Sequence, residues 1–338
     1  MFCVLFIISI LVACASPTEV VTPPPLTDTQ VLPLNTQPLP TVTPVPPTPT
    51  LEPSPTESSL VIEPGKIAGM VDIGGRSLYI KCEGEGSPTI ILESDAKMPA
   101  HHWEKDQLFS RLAETTRTCL YERANIGKSD PAPTPRTAQD MVNDLHALLV
   151  KAQITGPYVL VGSNIGGWIT RLYSGQYPEE VVGMVLLDSL HPDQNQIFSA
   201  AFPTATPNES AELIAERDYW VNFYQEGILD DPEGWDLETS AEQVRAVTSL
   251  GDIPLRVITA DRSYWGMIES LTWLGAPINN PEKNKILDEA WLNMQQELAS
   301  LSSKGIQKTL GVGNKWDLPD DTVSQVRSVV QEVQANMP

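Results

Sequence analysis

Short apolar runs alternate with amphipathic stretches along the chain from about residue 66 onwards. The runs contain few polar residues, which is typical of strands that are buried on both faces of a parallel sheet. Between and after them, apolar residues recur at the spacing of one helix face. This alternation predicts an α/β domain with a mostly parallel central sheet and helices on both faces. The predicted strands are residues 77–82, 88–94, 116–122, 158–163, 182–189 and 254–260, and the predicted helices are residues 137–152, 167–181 and 321–334.

Residues 194–250 interrupt this alternation with turn residues and large aromatic side chains, among them Tyr219, Trp220, Phe223 and Trp235. We expect this segment to form a helical cap over one end of the sheet. Its tryptophans are expected to pack inside the core and cap rather than to form a platform for a sugar.

The first 16 residues are expected to be a lipoprotein-type signal or anchor. They contain the run "MFCVLFIISILVAC", which is too short to span a bilayer and ends in small residues, as a secretory signal does. The "LVAC" part resembles a bacterial lipoprotein box, which implies that Cys14 carries a lipid and that the protein is held extracytoplasmically at the cell membrane. No Lys or Arg precedes Lys66, although a signal usually begins with a basic region. An ordinary signal of a secreted protein, or an uncleaved anchor, therefore stays as the alternative.

A Pro/Thr-rich stalk is predicted over residues 17–62. Thirteen of the 30 prolines of the chain lie between Pro17 and Pro55, and the periodic apolar residues that a core needs are missing there. We expect a disordered spacer between the anchor and a folded domain of residues 63–338.

The charge and the cysteines limit the partners of that domain. A net charge of -21 argues against nucleic acid, which is bound by clustered Lys and Arg. Cys82 and Cys119 lie outside the signal region, and such a pair in an exported protein predicts a disulfide. Two cysteines without histidine partners do not form a zinc site, so neither a metal nor a cofactor is expected.

Residues 161–167 read "VGSNIGG" at the junction of a predicted strand and a predicted helix. This pattern is that of the nucleophile elbow, a tight turn that needs small residues two positions before and two after the nucleophile. Around Asn164 these positions hold Gly162 and Gly166, whereas around Ser163 they hold the larger Val and Ile. The spacing therefore places Asn164 at the tip of the turn, with Ser163 directed elsewhere.

Three segments carry a resemblance to a bacterial branch of the α/β-hydrolase superfamily, over about residues 72–335. They are "YERANIGKSDPAPTPRTAQDMVNDLHALL", "GPYVLVGSNIGGWITRLYSGQYPEEVVGMVLLDSLHPDQ" and "WLNMQQELASLSSKG". The resemblance implies that Asn164 occupies the position of the catalytic serine. It also implies that Asn314, in "GVGNKWDLPDDTV", occupies that of the catalytic histidine, with Asp188 or Asp261 as the acid.

The resemblance also locates a pocket around the turn. The oxyanion loop of the family is usually rich in glycine, but here it reads "DAKMPAHHW" after the strand of residues 88–94. Arg123 of the following segment is kept, while Asn125 stands where glycine is usual. The residues expected to line the pocket are Ser94, Asp95, Asn164, Ile165 and Asn314.

These substitutions remove the groups that acyl transfer requires. An amide nitrogen is not a nucleophile at neutral pH, and an asparagine at position 314 does not shuttle a proton. We therefore expect a membrane-tethered, catalytically inactive protein of the α/β-hydrolase fold that binds a small apolar or ester-like ligand or a partner. The alternative is a carboxylic-ester hydrolase that works through rearranged groups, including a carboxylate formed by deamidation of Asn164. A purely structural surface protein is a third possibility.

The four histidines are expected to have structural roles. His146 lies within an apolar-periodic helix, and His191 lies in a loop, "SLHPDQ", that matches the family. His101 and His102 fall in the loop that overhangs the pocket, but two adjacent residues do not readily face one metal ion.

Overall fold

The computed structural model describes residues 60–201, 231–261, 281–312 and 319–337, together with residues 211 and 214. The chain divides into two units, Met1–Glu52 and Pro53–Pro338, and every described residue lies in the second. Cys14, Asn314 and the middle of the predicted cap lie outside the described residues. Within the described part, no helix is both long and apolar enough to cross a membrane.

The described strands form a single sheet, in the order β1-β2-β3-β5-β4-β6-β7-β8-β9. Strands β4 to β9 pair in parallel with their neighbours, while β1, β2 and β3 extend the sheet through antiparallel pairs. The strands are β1 Val61–Glu63, β2 Lys66–Asp72, β3 Ser77–Glu83, β4 Thr89–Glu93, β5 Thr118–Tyr121, β6 Tyr158–Ser163, β7 Val181–Leu187, β8 Leu255–Asp261 and β9 Gly305–Val312.

Helices cover both faces of this sheet, as the sequence pattern predicts. One face packs against α2 and α3, with Leu145, Leu160 and Ile169 in its core. The other packs against α1 and α7, with Val159, Val326 and Val330 in its core. The helices are α1 Leu108–Ala113, α2 Ala138–Lys151, α3 Gly166–Gln176, α4 Gln194–Ala201, α5 Leu237–Arg245, α6 Pro281–Ala299 and α7 Pro319–Asn336, and a 3-10 helix spans Ala100–Gln107.

The predicted strands all occur, and each bound lies within two residues of the prediction. The prediction for α3 is wrong at its end, because the helix stops at Gln176 rather than at residue 181. Tyr177 has φ -126 and ψ 57, outside the helical range, and the next residue is Pro178. A proline disfavours helical geometry in the residue before it, which accounts for the early end.

The disulfide predicted from the cysteine pair is present in the structure. Cys82 on β3 lies directly opposite Cys119 on β5, and both residues are buried. The bond therefore links two antiparallel neighbours in the part of the sheet that precedes the parallel strands.

Candidate ligand site at the strand-to-helix turn

The turn between β6 and α3 has the geometry of an elbow. β6 ends at Ser163, α3 begins at Gly166, and Asn164 between them has φ 53. Such a left-handed conformation is unfavourable for most residues, although asparagine tolerates it better than others. The tip position that the glycine spacing predicts is therefore the strained position of the turn.

Glycines flank the tip because no side chain fits there. A Cβ atom on Gly162 would lie 2.7 Å from the carbonyl oxygen of Gly166. A Cβ atom on Gly166 would lie 2.7 Å from the carbonyl oxygens of both Glu93 and Ser94. The end of β4 thus packs directly against the first turn of α3.

Backbone hydrogen bonds fix the tip to the neighbouring strand. The Asn164 N–H donates to the Leu187 carbonyl at 3.0 Å, and its own carbonyl accepts from Gly167 N at 3.1 Å and Leu190 N at 3.2 Å. The end of β7 therefore holds the turn from the side opposite β4.

The side chain of Asn164 binds its own backbone neighbour. Its Oδ1 accepts a hydrogen bond from Ile165 N at 2.9 Å. In hydrolases with this turn, the N–H of the residue after the nucleophile helps to bind the oxyanion. Here that donor is already occupied by the amide oxygen of Asn164.

Ser163 does not take over the tip. Its side chain is fully buried, and its Oγ has no hydrogen-bond partner among the described residues. Because side chains alternate along a strand, Ser163 shares the face of Val159 and Val161, which lies towards α1 and α7.

Both candidate acids lie at the ends of strands, at the same edge of the sheet as the turn. Asp188 comes directly after β7, has φ 43 and is buried, and its N–H donates to the Ile258 carbonyl at 2.8 Å. Asp261 is the last residue of the neighbouring strand β8. Which of them matches the acid of the family stays a prediction, since Asn314 lies outside the described residues.

The loop after β4 borders the turn from the other side. Ser94 is buried and its Oγ accepts from Trp103 Nε1 at 2.9 Å, while Asp95 is partly exposed. His101 and His102 lie on the 3-10 helix that follows. Burial lowers the pKa of His102, while the nearby Asp95 raises it by less. Within the described ranges, no three side chains of the His, Cys, Asp and Glu types form a cluster that would hold a metal ion.

Arg123, which follows β5, forms hydrogen bonds with the backbone of this loop. The guanidinium is buried and donates from Nη1 to the Ser94 carbonyl at 2.8 Å and from Nη2 to the Asp95 carbonyl at 2.7 Å. It also forms ion pairs with Glu93 and with Glu233, whose carboxylates are buried as well. Two buried carboxylates therefore share the guanidinium that binds the loop.

The two carboxylates differ in their proton affinity. Burial raises the pKa of Glu93, and the Arg123 charge and the Tyr121 hydrogen bond offset this only in part. Burial acts in the same direction on Glu233, but the charge and hydrogen bonds of Arg123 outweigh it and lower the pKa. Sequence reasoning did not find either residue, because Glu93 ends an apolar run and Glu233 lies 110 positions from Arg123.

The other two histidines have local contacts. His146 on α2 stacks on the Tyr177 ring with 4.1 Å between the ring centroids. His191 is buried, its Nδ1 accepts from Asp193 N at 3.2 Å, and its Nε2 lies 3.3 Å from a carboxylate oxygen of Glu297.

Comparison with known proteins identifies this architecture. Residues 97–228 match the family model for the alpha/beta hydrolase fold. The protein YqjL of Bacillus subtilis is 32% identical over 106 residues, which cover 31% of this chain and 41% of YqjL. An AB hydrolase superfamily protein of Gibberella zeae is 31% identical over 149 residues, which cover 42% of this chain and 45% of that protein. The chain thus spans less than half the length of these curated relatives.

A solved structure supports the same conclusion for the fold. The haloalkane dehalogenase DbeA-M1 loop variant from Bradyrhizobium elkanii is similar with a TM-score of 0.55 and 12% sequence identity, covering 79% of this chain and 97% of that one. The chain has the α/β-hydrolase fold.

Proposed function

We propose that this chain of the α/β-hydrolase fold is held outside the cytoplasm by a lipid on Cys14 and binds a small apolar or ester-like ligand without hydrolysing it. The observation that carries the proposal is the side chain of Asn164 at the tip of the turn. An amide has no lone pair that attacks an acyl carbon at neutral pH.

The hydrogen bond from Ile165 N to Asn164 Oδ1 supports the same conclusion. Stabilisation of the oxyanion is usually the largest single contribution to acyl-transfer catalysis, and it depends on N–H groups that are free to bind the developing charge. With the Ile165 N–H already paired at 2.9 Å, a bound carbonyl must compete with an internal acceptor. The turn therefore lacks both the nucleophile and one preorganised donor.

The same geometry supports a role for the Asn164 amide in ligand recognition. With its Oδ1 facing Ile165 N, Asn164 keeps the two N–H donors of its Nδ2 for another group. No hydrogen bond of Nδ2 occurs within the part of the chain that the structure describes, and the side chain is partly exposed. A carbonyl or ether oxygen of an ester-like ligand is a suitable acceptor for these donors.

Hydrolysis of activated short-chain esters tests the proposal most directly. The full-length chain and the Asn164→Ala variant are expected to show the same rate as buffer. Turnover in the wild type that Asn164→Ala abolishes would establish the ester hydrolase instead, because the tip of the turn would then do chemistry. In the same preparations, Cys14→Ser is expected to move the protein out of the membrane fraction.

Ligand binding needs a separate measurement. A thermal-shift screen of the full-length chain with lipids, esters and peptidoglycan fragments is expected to yield a stabilising compound. Asn164→Ala is expected to weaken that stabilisation. A screen without any stabilising compound would count against a binding role and in favour of a structural one.

A further inference from the structure

Glu233 lies in a short segment with a tightly defined backbone. Asp231 Oδ1 accepts from Glu233 N and from Gly234 N, both at 2.8 Å. Gly234 has φ 58, and its carbonyl accepts from Arg136 N at 2.8 Å. The Arg136 carbonyl in turn accepts from Asp236 N at 2.8 Å. This turn fixes the point from which the Glu233 side chain enters the protein.

Both carboxylate oxygens of Glu233 accept hydrogen bonds. Oε1 accepts from Arg123 Nε at 2.6 Å, and Oε2 accepts from Arg123 Nη2 at 3.0 Å and from Lys97 N at 2.9 Å. Glu233 has no solvent exposure, so water does not compete for these bonds. A bidentate pair of this kind is among the stronger and more directional contacts in proteins.

Arg123 in turn uses all of the donors that an arginine has. A guanidinium carries five N–H groups in a rigid plane. In Arg123 they meet the two oxygens of Glu233, one oxygen of Glu93, and the carbonyls of Ser94 and Asp95. The rotation of Arg123 is therefore set by Glu233 on one side and by Glu93 on the other.

This arrangement fixes the direction of three consecutive peptide groups. In a planar trans peptide the C=O and the N–H point in opposite directions. Since Arg123 binds the carbonyls of Ser94 and Asp95, the N–H groups of Asp95 and Ala96 point away from it. The third peptide group is held by its N–H, which Lys97 donates to Glu233.

We infer that Glu233 is the positioning residue of the loop Ser94–Lys97: by holding Arg123 and the Lys97 amide, it fixes the peptide groups of this loop beside the elbow, where the ligand of the proposed function binds. The loop is close enough for this role, since only a hydrogen atom on Gly166 fits against the Ser94 carbonyl. The presence of a ligand at the elbow is the part of this inference that rests on the proposed function. The positioning itself is a property of the unliganded protein and is tested without a ligand.

Amide hydrogen exchange of the full-length chain decides whether Glu233 positions the loop. In Glu233→Gln, the amides of residues 94–98 are expected to exchange roughly tenfold faster or more, because the side chain becomes neutral and keeps a single acceptor oxygen, which cannot serve Lys97 N and both Arg123 donors with charge-assisted bonds. Asp144→Asn is the matched control, since Asp144 is also a buried carboxylate and pairs with Arg76 and Arg136. The substitution Asp144→Asn is expected to leave the amide hydrogen exchange of residues 94–98 unchanged.

Equal exchange at residues 94–98 in Glu233→Gln and the wild type would overturn the inference. So would equal acceleration by Asp144→Asn, because the effect would then be a general loosening of the fold. If Glu233→Gln does not fold, the wild type still decides: the Lys97 amide is expected to be protected, and exchange at the rate of an unstructured peptide would contradict its bond to Glu233.

A titration with ethyl butyrate, followed by the NMR shift of the Ala96 amide, then connects positioning to binding. The wild type and Asp144→Asn are expected to show this shift with similar dissociation constants. In Glu233→Gln the dissociation constant for ethyl butyrate is expected to rise at least tenfold. An equal response in Glu233→Gln would exclude a positioning role in binding. No response in the wild type would count against the proposed ligand class, while the exchange measurement would still decide the role of Glu233.

Discussion

Among the described residues, asparagine stands at two positions where the resemblance predicts another residue, and at both it supplies the same property. Asn164 has φ 53, and Asn125 has φ 72. Each amide also bonds locally: Asn164 accepts from Ile165 N, while Asn125 exchanges two hydrogen bonds with the backbone of Ala132, at 2.8 and 3.1 Å. These local bonds offset part of the cost of a left-handed backbone, which explains why asparagine suits both positions.

The turn is expected to be intolerant of a methyl group at Gly166. In Gly166→Ala the Cβ would meet two backbone oxygens at 2.7 Å, and neither Glu93 nor Ser94 is free to move without disturbing β4. We expect the free energy of unfolding to fall by about 1–3 kcal/mol in urea titrations. Gly175→Ala in the same helix is the control, since the three atoms nearest to its Cβ all belong to the Val247 side chain, at 2.7, 3.2 and 3.5 Å, and not to the backbone. Equal stability of the two variants would contradict the crowding at the turn.

The strands and the turn were predictable because each depends on residues that are close in sequence. The period of the apolar runs gave the central strands, and the spacing of Gly162 and Gly166 located the tip at Asn164. The hairpin of β1 and β2 was not predicted, because β1 is exposed, β2 is only partly buried, and their sequence mixes polar and apolar residues. The strand β9 was not predicted either. The pair of Arg123 and Glu233 was not predicted either, since a bond across 110 positions leaves no local pattern.

The disulfide between β3 and β5 is expected to stabilise the antiparallel part of the sheet. It closes a loop between residues 37 positions apart, so its loss removes a restraint on the unfolded chain and is expected to cost about 3–4 kcal/mol. Urea unfolding of the full-length chain and of the double variant Cys82→Ser/Cys119→Ser measures this difference. Identical unfolding midpoints would show that packing of the two strands alone sustains the sheet.

At the scale of the whole molecule, acid is expected to weaken the fold through a buried histidine. His191 lies between α3, α5 and α6, where Asp193 and Glu297 favour its protonated form and Arg171 and Arg245 oppose it. Burial is the larger effect and lowers the pKa of His191 below its ordinary value of 6.5. The unfolded chain therefore takes up a proton at higher pH than the folded chain does.

The sign of the pH dependence follows from this difference. The contribution of the neutral His191 to stability is complete above about pH 6.5 and is lost as the pH falls below that value towards the lowered pKa of the folded state. Between about pH 7.5 and about pH 5, the wild type is expected to lose more stability in urea titrations than His191→Gln does. The same loss in both proteins would assign the acid sensitivity to other groups.

The helix α7 closes one face of the sheet with Val323, Val326, Val329, Val330 and Val333, all of which are buried. From the same helix, Arg327 donates to Thr115 Oγ1 at 2.9 Å and to the Arg111 carbonyl at 2.6 Å, across 212 and 216 positions. A ribosome makes α7 well after β6 and β7, so the packing around these strands is completed only once α7 has been made. Until it arrives, β6 and β7 present an apolar surface to their surroundings, so the growing chain passes through a period in which aggregation competes with folding.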